Sequence, residues 1–343
     1  MLRSSRSILS ALRLSVFAVS VVSKVSQSDH EARKAASAKA SKHQAGVLAV
    51  DEFVKDDMVV GLGTGNTMYF AVERLGELLA LGQLRGVSCV AVNTATARHC
   101  AELQIPVVAF SNVNAEHPID LVIDSADEVD ASMNILKGSK GSLSRERFVN
   151  ESSFEYASLN LIDSPPPPPP PHHRPLLLSM MWHSALQRVV VISDEAKLVK
   201  RLGLSAPLSV EVSPWGVDYV KSCIASLPSI RGARTVLRTG TASNHSADGL
   251  RPALTESGTF VLDVFFDTAI SDPHQLDLEL SSLPGVISHG LLVGQATSIV
   301  LCTEHDPKVI VGNLPSGKAE PAFWGEKQPL RPLETETVDN RRI

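Results

Sequence analysis

The sequence lacks a surplus of positive charge: 32 Lys and Arg stand against 37 Asp and Glu, a formal net charge of -5. Gripping a nucleic acid backbone by counterion release needs a basic surplus, so the balance argues against a nucleic acid partner. Cysteine is scarce, and the four residues Cys89, Cys100, Cys223 and Cys302 form no CxxC pair. Neither a zinc knuckle nor a dense disulfide framework is signalled, and they read as reduced core or surface thiols. Long apolar runs are missing too. The stretch Leu14 to Val22 is too short to span a bilayer and no other run approaches that length, which argues against a membrane-spanning segment.

The first 28 residues lack any acidic group, carry Arg3, Arg6, Arg13 and Lys24, and include nine serines. An Arg- and Ser-rich, acid-free leader fits an organellar transit peptide, with a plastid address favoured. Leu14 to Val22 also suits a short secretory h-region or the first part of a two-part plastid address, and a cytosolic extension is the plain alternative. Residues 1–28 are set aside from the fold.

What remains, in a chain of 343 residues that is 43% hydrophobic, can bury one large core or two modest ones. Ala45 to Val54 has helical apolar spacing, and Met58 to Val60 reads as a strand running into GLGTGNT (residues 61–67). Met68, Phe70, Ala71, Leu75, Leu78 and Leu79 repeat at helical spacing. Val87 to Val92 is the next strand, Ala95 to Leu103 the next helix, and Val107 to Phe110 and Leu121 to Ile123 continue as strands. This alternation predicts a parallel sheet with crossover helices. After Glu146 the rhythm breaks, and seven prolines, Pro165 to Pro171, cannot enter a sheet or helix interior. Residues 151–187 therefore read as a surface insertion, and a ligand for a proline-recognising domain is the functional alternative. His172, His173 and His183 beside it are too loosely tethered to define a metal site.

Strand character returns at Val189 to Ile192. Between 208 and 283 the pattern changes to a small α+β unit, with strands at Val210 to Val212, Thr235 to Leu237 and Thr259 to Phe266 and helices at Val217 to Leu227 and His274 to Leu283. Gly285 to Val293 and Ser298 to Cys302 read as strands returning to the first sheet, and a Pro-rich charged tail follows from 315. The domain expectation is a catalytic domain over 29–207 and 284–314, with a lid at 208–283.

Two places carry chemistry. GLGTGNT between strand and helix suits an anion, because glycines let the backbone approach and amides at a helix N-terminus point outward. It lacks the third glycine of GxGxxG and the lysine of a P-loop, so both standard nucleotide readings are poor; a ligand-free turn is the alternative. The second place is the run of ionisable groups Asp124, Asp127, Lys137 and Glu146, directly behind the apolar Leu121, Val122 and Ile123. Open α/β folds hold ligands in the crevice beyond such strand ends. Four possible proton-handling groups this close together look like an active site, and Glu146 must be ionised if it is to act as a base. Neighbouring Asp124 and Asp127 are expected to raise its pKa and Lys137 to lower it. Glu128, Asp130, Arg145 and Arg147 read as solvated or capping charges. Three carboxylates can hold a hard metal ion, but no further ligand is fixed nearby in sequence, so no metal is assigned.

The motifs GLGTGNT (61–67), IDSADEVD (123–130), LKGSKGSLSRE (136–146) and VISDEAK (191–197) occur in order, followed by VEVSPWG (210–216), GTFVLD (258–263) and GVISHG (285–290). In these the chain resembles type A ribose-5-phosphate isomerases over about residues 40 to 315, the insertion excepted. The resemblance implies a Rossmann-like α/β domain with an inserted ferredoxin-like α+β lid, and a homodimer or homotetramer. It also implies interconversion of ribose 5-phosphate and ribulose 5-phosphate through an enediolate, in the non-oxidative pentose phosphate pathway or the Calvin cycle, with no cofactor. Glu146 matches the family's general base, and Asp124, Asp127 and Lys137 its polar catalytic groups. Thr64, Gly65, Asn66, Thr67, Ser125, Ala126, Gly138, Ser139, Lys140 and Lys197 fall in its substrate-binding positions. Ser125 and Ser139 stand where glycine is usual, Lys140 replaces another glycine, Asn66 replaces a serine, and Lys42 and His43 stand where two lysines are common. If glycine at these positions serves a positive φ, Lys140 would be strained. A non-catalytic sugar-phosphate-binding homologue is the alternative. The deaminase and CoA-transferase relatives of this sheet architecture fit the order Asp124, Asp127, Lys137, Glu146 less well.

Overall fold

A computed structural model describes residues 36–114, 117–159, 189–240, 251–302 and 308–311. The leader, the proline run with His172, His173 and His183, and the tail lie outside the described residues. A helix at 36–53 (α1) leads into β1 (Val59–Leu62), α2 (Asn66–Ala80), β2 (Ser88–Ala91), α3 (Thr94–Glu102) and β3 (Leu121–Ser125). Two short strands follow, β4 (Glu128–Val129) and β5 (Ile135–Leu136), then α4 (Leu143–Leu159) and β6 (Val189–Asp194). The small domain holds β7 (Leu208–Val212), α5 (Val217–Ala225), β8 (Arg234–Leu237), β9 (Phe260–Phe265), α6 (Pro273–Ser281) and β10 (Val286–His289). Then come β11 (Leu291–Leu292), β12 (Ser298–Cys302) and β13 (Lys308–Val311).

The main sheet has the order β13-β12-β6-β3-β1-β2, parallel throughout except for the antiparallel edge strand β13. Its strands are apolar on both sides because both faces are covered. Val60, Leu62, Leu121, Ile123, Val190, Ile192 and Val300 face one core with α1 and α2, while Val122, Val189, Val191, Ile299 and Leu301 face the other with Val149 of α4. Gly61 is needed in that second layer: a Cβ there would come within 2.6 Å of the Val149 side chain, so only glycine lets α4 lie this close to β1. From β1 the chain runs to β2 on one side and returns to β3 on the other. The carboxyl ends of β1 and β3 thus flank a topological switch point, the usual ligand crevice of an open α/β sheet.

The small domain pairs its strands antiparallel in the order β10-β7-β9-β8 with two helices, a βαββαβ unit of ferredoxin-like topology. One expectation changes here. Gly285 to Val293 does not return to the main sheet: β10 pairs with β7, and β11 joins β5 and β4 in a three-stranded sheet between the domains. Either partner satisfies the same apolar alternation, and the short α6–β10 connection fixes the choice. Ser298 to Cys302 does return. A second change concerns Val107 to Phe110, where only Val107 bridges, to Cys89, before the chain turns into a 3-10 segment at Phe110–Asn112. Val107 and Phe110 are exposed, so nothing buries an extended strand there. A third is α4, which continues through Leu159 into the stretch read as insertion.

Burial of the thiols pushes Cys100 and Cys302 up to about 11 and Cys89 higher still, and all four cysteines are free. No described helix is long and apolar enough to cross a membrane.

Glu128, expected in a solvated loop, is wholly buried. It accepts the amides of Gly203 (2.5 Å), Ser205 (2.5 Å) and Ala206 (2.8 Å) and the Ser205 hydroxyl (2.6 Å), fixing the chain where it enters the small domain. Asp130, half-buried, organises its own turn by accepting from Ser132 and Asn134. Glu128→Ala strands three amide donors, each worth roughly 1–3 kcal/mol when buried without a partner. Denaturant unfolding should show a loss of about 3 kcal/mol or more, whereas Asp130→Ala should cost about 1 kcal/mol.

Candidate active site

Four segments supply the site. The turn after β1 brings Thr64, the end of β3 brings Asp124, the residue after β5 is Lys137, and the first turn of α4 carries Glu146. All four side chains are buried, with Asp124 3%, Lys137 5% and Glu146 2% exposed. The Lys137 ammonium bridges the two carboxylates, bonded to Asp124 Oδ2 and 3.2 Å from Glu146 Oε2. Asp124 Oδ1 accepts the amides of Thr64 (3.2 Å) and Ser125 (2.7 Å), and the Thr64 hydroxyl donates to Glu146 Oε1 at 2.6 Å. Among the described residues Glu146 Oε2 is met by the Lys137 ammonium. One carboxylate oxygen is thus held by Thr64, and the other is covered by Lys137 and comes free only when that side chain moves.

Burial is the main influence on Glu146 and raises its pKa above the ordinary carboxylate value of 4.5; Lys137 opposes it, Asp124 adds to it and the Thr64 hydrogen bond opposes it. The expected signs of Asp124 and Lys137 hold, but the leading cause is desolvation, which was not foreseen, and Asp127 takes no part. Burial works against the Lys137 ammonium, yet Asp124 and Glu146 outweigh it and shift its pKa upward, so the cation persists.

Above this cluster opens a cavity of about 140 Å³ lined by Thr64, Gly65, Asn66, Thr67, Ser125, Asp127, Lys137, Gly138, Ser139, Lys140 and Lys197, together with Lys42. Asp124 and Glu146 lie one layer beneath, behind Lys137 and Thr64. Asp127 is half-buried at the rim and accepts from the Ser139 amide (3.0 Å) and hydroxyl (2.8 Å). Ala126 is buried away from the cavity, its carbonyl accepting from Lys197 at 2.5 Å. The strain feared at Ser139 and Lys140 is absent, because the positive φ angles of that loop fall on Gly138 (115°) and Gly141 (75°). Among the described residues no cluster of three or more His, Cys, Asp or Glu is arranged to hold a metal ion.

Of the two residues noted where two lysines are common, Lys42 of α1 faces the cavity, 3.9 Å from Asp194, while His43 packs edge-on against Phe70. Other contributors were missed in the sequence. Glu211 of β7 is wholly buried and accepts the Ser144 amide at 2.8 Å and the Ser144 hydroxyl at 3.2 Å, so it holds the first turn of the helix that carries Glu146. Thr255 and Thr259 also donate to it. Arg147, expected to be solvated or capping, ties α4 to Asp277 of α6 (3.2 Å) and to His289 of β10. Burial, and next the Arg147 cation, push His289 down to about 3, so its imidazole is neutral at physiological pH. Arg145 pairs at 2.5 Å with Glu256, which also accepts from the N-terminus of α3 at Thr94. Of these small-domain residues, Glu211 lies in the motif VEVSPWG (210–216) and Thr259 in GTFVLD (258–263).

The model of the family "Ribose 5-phosphate isomerase A (phosphoriboisomerase A)" matches residues 88–160 and 177–306. A ribose-5-phosphate isomerase A from Sphingopyxis alaskensis is 34% identical over 76% of this chain and 92% of its own length. A probable ribose-5-phosphate isomerase 3, chloroplastic, from Arabidopsis thaliana is 29% identical over 76% of this chain and 79% of its own. A solved D-ribose-5-phosphate isomerase in complex with phospho-erythronic acid superposes with a TM-score of 0.62 at 27% identity, covering 79% of this chain and 97% of that one.

A base must be ionised to act, so with Glu146 in that role activity is lost as pH falls through its raised pKa. The acid limb of kcat/KM should therefore lie above the ordinary carboxylate range. Thr64→Val removes a hydrogen bond that favours the ionised form and should move that limb to higher pH. An acid limb that stays put in the variant would show that another group governs it.

Proposed function

Because the chain belongs to the ribose 5-phosphate isomerase A family, we propose that it interconverts D-ribose 5-phosphate and D-ribulose 5-phosphate with Glu146 as the base. The observation that carries the reading is the buried Asp124–Lys137–Glu146 cluster beneath a lysine-rich cavity. The phosphate sits against the amides at the start of α2, with Gly65, Asn66 and Thr67 donating and Lys42 neutralising charge. Lys140 and Lys197 supply further positive charge along the cavity wall.

With the sugar ring open, Glu146 Oε2 takes the proton from C2, and the electron pair of that C–H bond forms the C1–C2 double bond as the C1 carbonyl oxygen becomes an oxyanion. Lys137 leaves its bridge to meet that oxyanion, which also uncovers Glu146. The C2 hydroxyl proton passes to the C1 oxyanion, and as the C2–O bond becomes a carbonyl Glu146 returns its proton to C1, which completes the ketose with its C1 hydroxyl. Asp124 keeps its two backbone donors throughout and anchors the Lys137 side chain for its return. Asp127 holds the Ser139 loop against the substrate. Phospho-erythronic acid, bound by the solved relative, is a phosphorylated polyhydroxy acid, a chemistry that suits such a cradle.

Purified protein should form ribulose 5-phosphate from ribose 5-phosphate. A positioned base contributes about 10² to 10⁴-fold, roughly 3 to 5 kcal/mol, so Glu146→Gln should lose at least about a hundredfold in kcat with little change in sugar-phosphate binding. Near-normal turnover in that variant would sink the assignment. The leader we assign to a plastid address, on its acid-free Arg and Ser composition. Residues 1–28 fused to a fluorescent protein should reach plastids in plant cells, and diffuse cytosolic signal would remove the assignment.

A further inference from the structure

The loop from Gly138 to Gly141 forms a thin wall. On one side is the substrate cavity, and on the other a hollow of about 350 Å³ toward the small domain; Asp127, Ser139 and Lys140 line both. Two positive-φ glycines bound the loop, and it has no regular structure of its own, so its place must be set from outside. Lys137 is tied at one end, its amide donating to the Gly290 carbonyl at 2.8 Å. Asp127 holds Ser139 from the catalytic domain. From the small domain the Arg238 side chain reaches the loop: its Nη1 donates to the Gly138 carbonyl at 3.1 Å and lies 3.5 Å from that of Ser139.

That guanidinium is itself immobilised. Asp263 of β9 takes it in a fork, Nε to Oδ2 at 2.8 Å and Nη2 to Oδ1 at 2.5 Å, and Nη2 also donates to the Ser209 hydroxyl at 2.7 Å. Ser209 in turn donates to Asp263 at 3.0 Å. The Arg238 backbone is pinned as well, its amide on the Val261 carbonyl and its own carbonyl accepting from Ala253, each at 2.8 Å. Two edges of the planar cation are thus spent within the small domain, and the remaining N–H groups point at the loop. A lysine has one ammonium and cannot hold the fork and the loop carbonyl in the same geometry.

We propose that Arg238 is a positioning residue for substrate binding: it props the Gly138–Gly141 loop out of the hollow behind it so that Ser139 and Lys140 meet the sugar phosphate. This rests on the isomerase reading above. Without the guanidinium the loop loses its support from the small domain, while the Asp124–Lys137–Glu146 cluster keeps all its own partners. The damage falls on affinity rather than on the chemical step.

The test measures KM and kcat for ribose 5-phosphate, and Kd for the same sugar by calorimetry, in wild type, Arg238→Ala and Arg238→Lys, with circular dichroism to confirm folding. The expected result is KM and Kd raised about tenfold in the alanine variant and about threefold in the lysine variant, with kcat within about threefold of wild type. Millimolar guanidinium should partly restore KM in the alanine variant. Unchanged KM and Kd in either folded variant, with any loss confined to kcat in proportion to lost folded protein, would overturn the proposal. Should the alanine variant fail to fold, the lysine variant decides alone. If wild type binds the sugar without turning it over, the isomerase reading fails, and the ratio of Kd values still tests Arg238.

Discussion

A single ammonium shared by two buried carboxylates is the constraint on which the rest of the site depends. An uncompensated charge in a protein interior costs several kcal/mol, and Asp124 and Glu146 would repel one another if Lys137 were absent. Stability of the cluster therefore requires that the β1 turn, the end of β3, the residue after β5 and the first turn of α4 all arrive together. Hydrogen bonds complete the compensation: two amides on Asp124, one hydroxyl on Glu146. The result is a cluster of net negative charge that has only one cation to spend. In the chemistry proposed above, turning that cation to a developing oxyanion would leave the two carboxylates less screened and raise the basicity of Glu146 as a proton is taken. The arrangement that holds the resting fold together would then also favour the chemical step.

The small domain has a structural part in this, because α4 and the loop after Lys137 are both held from it. Glu211 accepts the amide and hydroxyl of Ser144, Arg147 grips α6 and β10, and Arg238 reaches the Gly138 carbonyl. These ties flank Glu146 in sequence and in space. A buried carboxylate at the N-terminus of a helix meets amides that lack a helical partner and the positive end of the helix dipole, which suits Glu211 to its place beneath Ser144. The ferredoxin-like unit is thereby less a cover than a second wall against which the catalytic helix is fixed.

Much of this was legible in the sequence, and what was missed has common causes. The strands of the main sheet stand out because both faces are buried, giving continuous apolar runs such as Leu121 to Ile123 and Val189 to Ile192. The glycine turn and the carboxylates behind β3 follow from their position at strand ends. By contrast α4 hides, because the face it buries is largely polar: Ser144, Glu146, Asn150 and Ser152 are all enclosed. A helix whose inner face is largely polar shows no apolar period. Glu128, Glu211 and Arg238 were invisible for another reason. Each takes its side-chain partners from 25 to 100 positions away, and no local window of sequence contains both halves of such a pair. The pairing of β10 with β7 rather than with the main sheet belongs to the same class of non-local choice.

The substitutions in the loop after Lys137 show how a departure from a family pattern can be absorbed. A glycine-to-lysine change is costly only where the backbone needs a positive φ, and here that demand is met by Gly138 and Gly141, the two glycines that remain. Ser139, free of that demand, turns its hydroxyl and amide to Asp127 and adds two hydrogen bonds that a glycine would halve. Lys140 adds a fourth lysine to a cavity already lined by Lys42, Lys137 and Lys197, with Asp127 as the one carboxylate in its wall. For a dianionic phosphate that surplus is favourable, and it stands beside a family position at which a lysine is replaced by His43. The loop has therefore exchanged conformational freedom for fixed polar contacts and positive charge, which makes its support from the small domain more important rather than less: a stiffer loop transmits to the substrate whatever position its anchor sets.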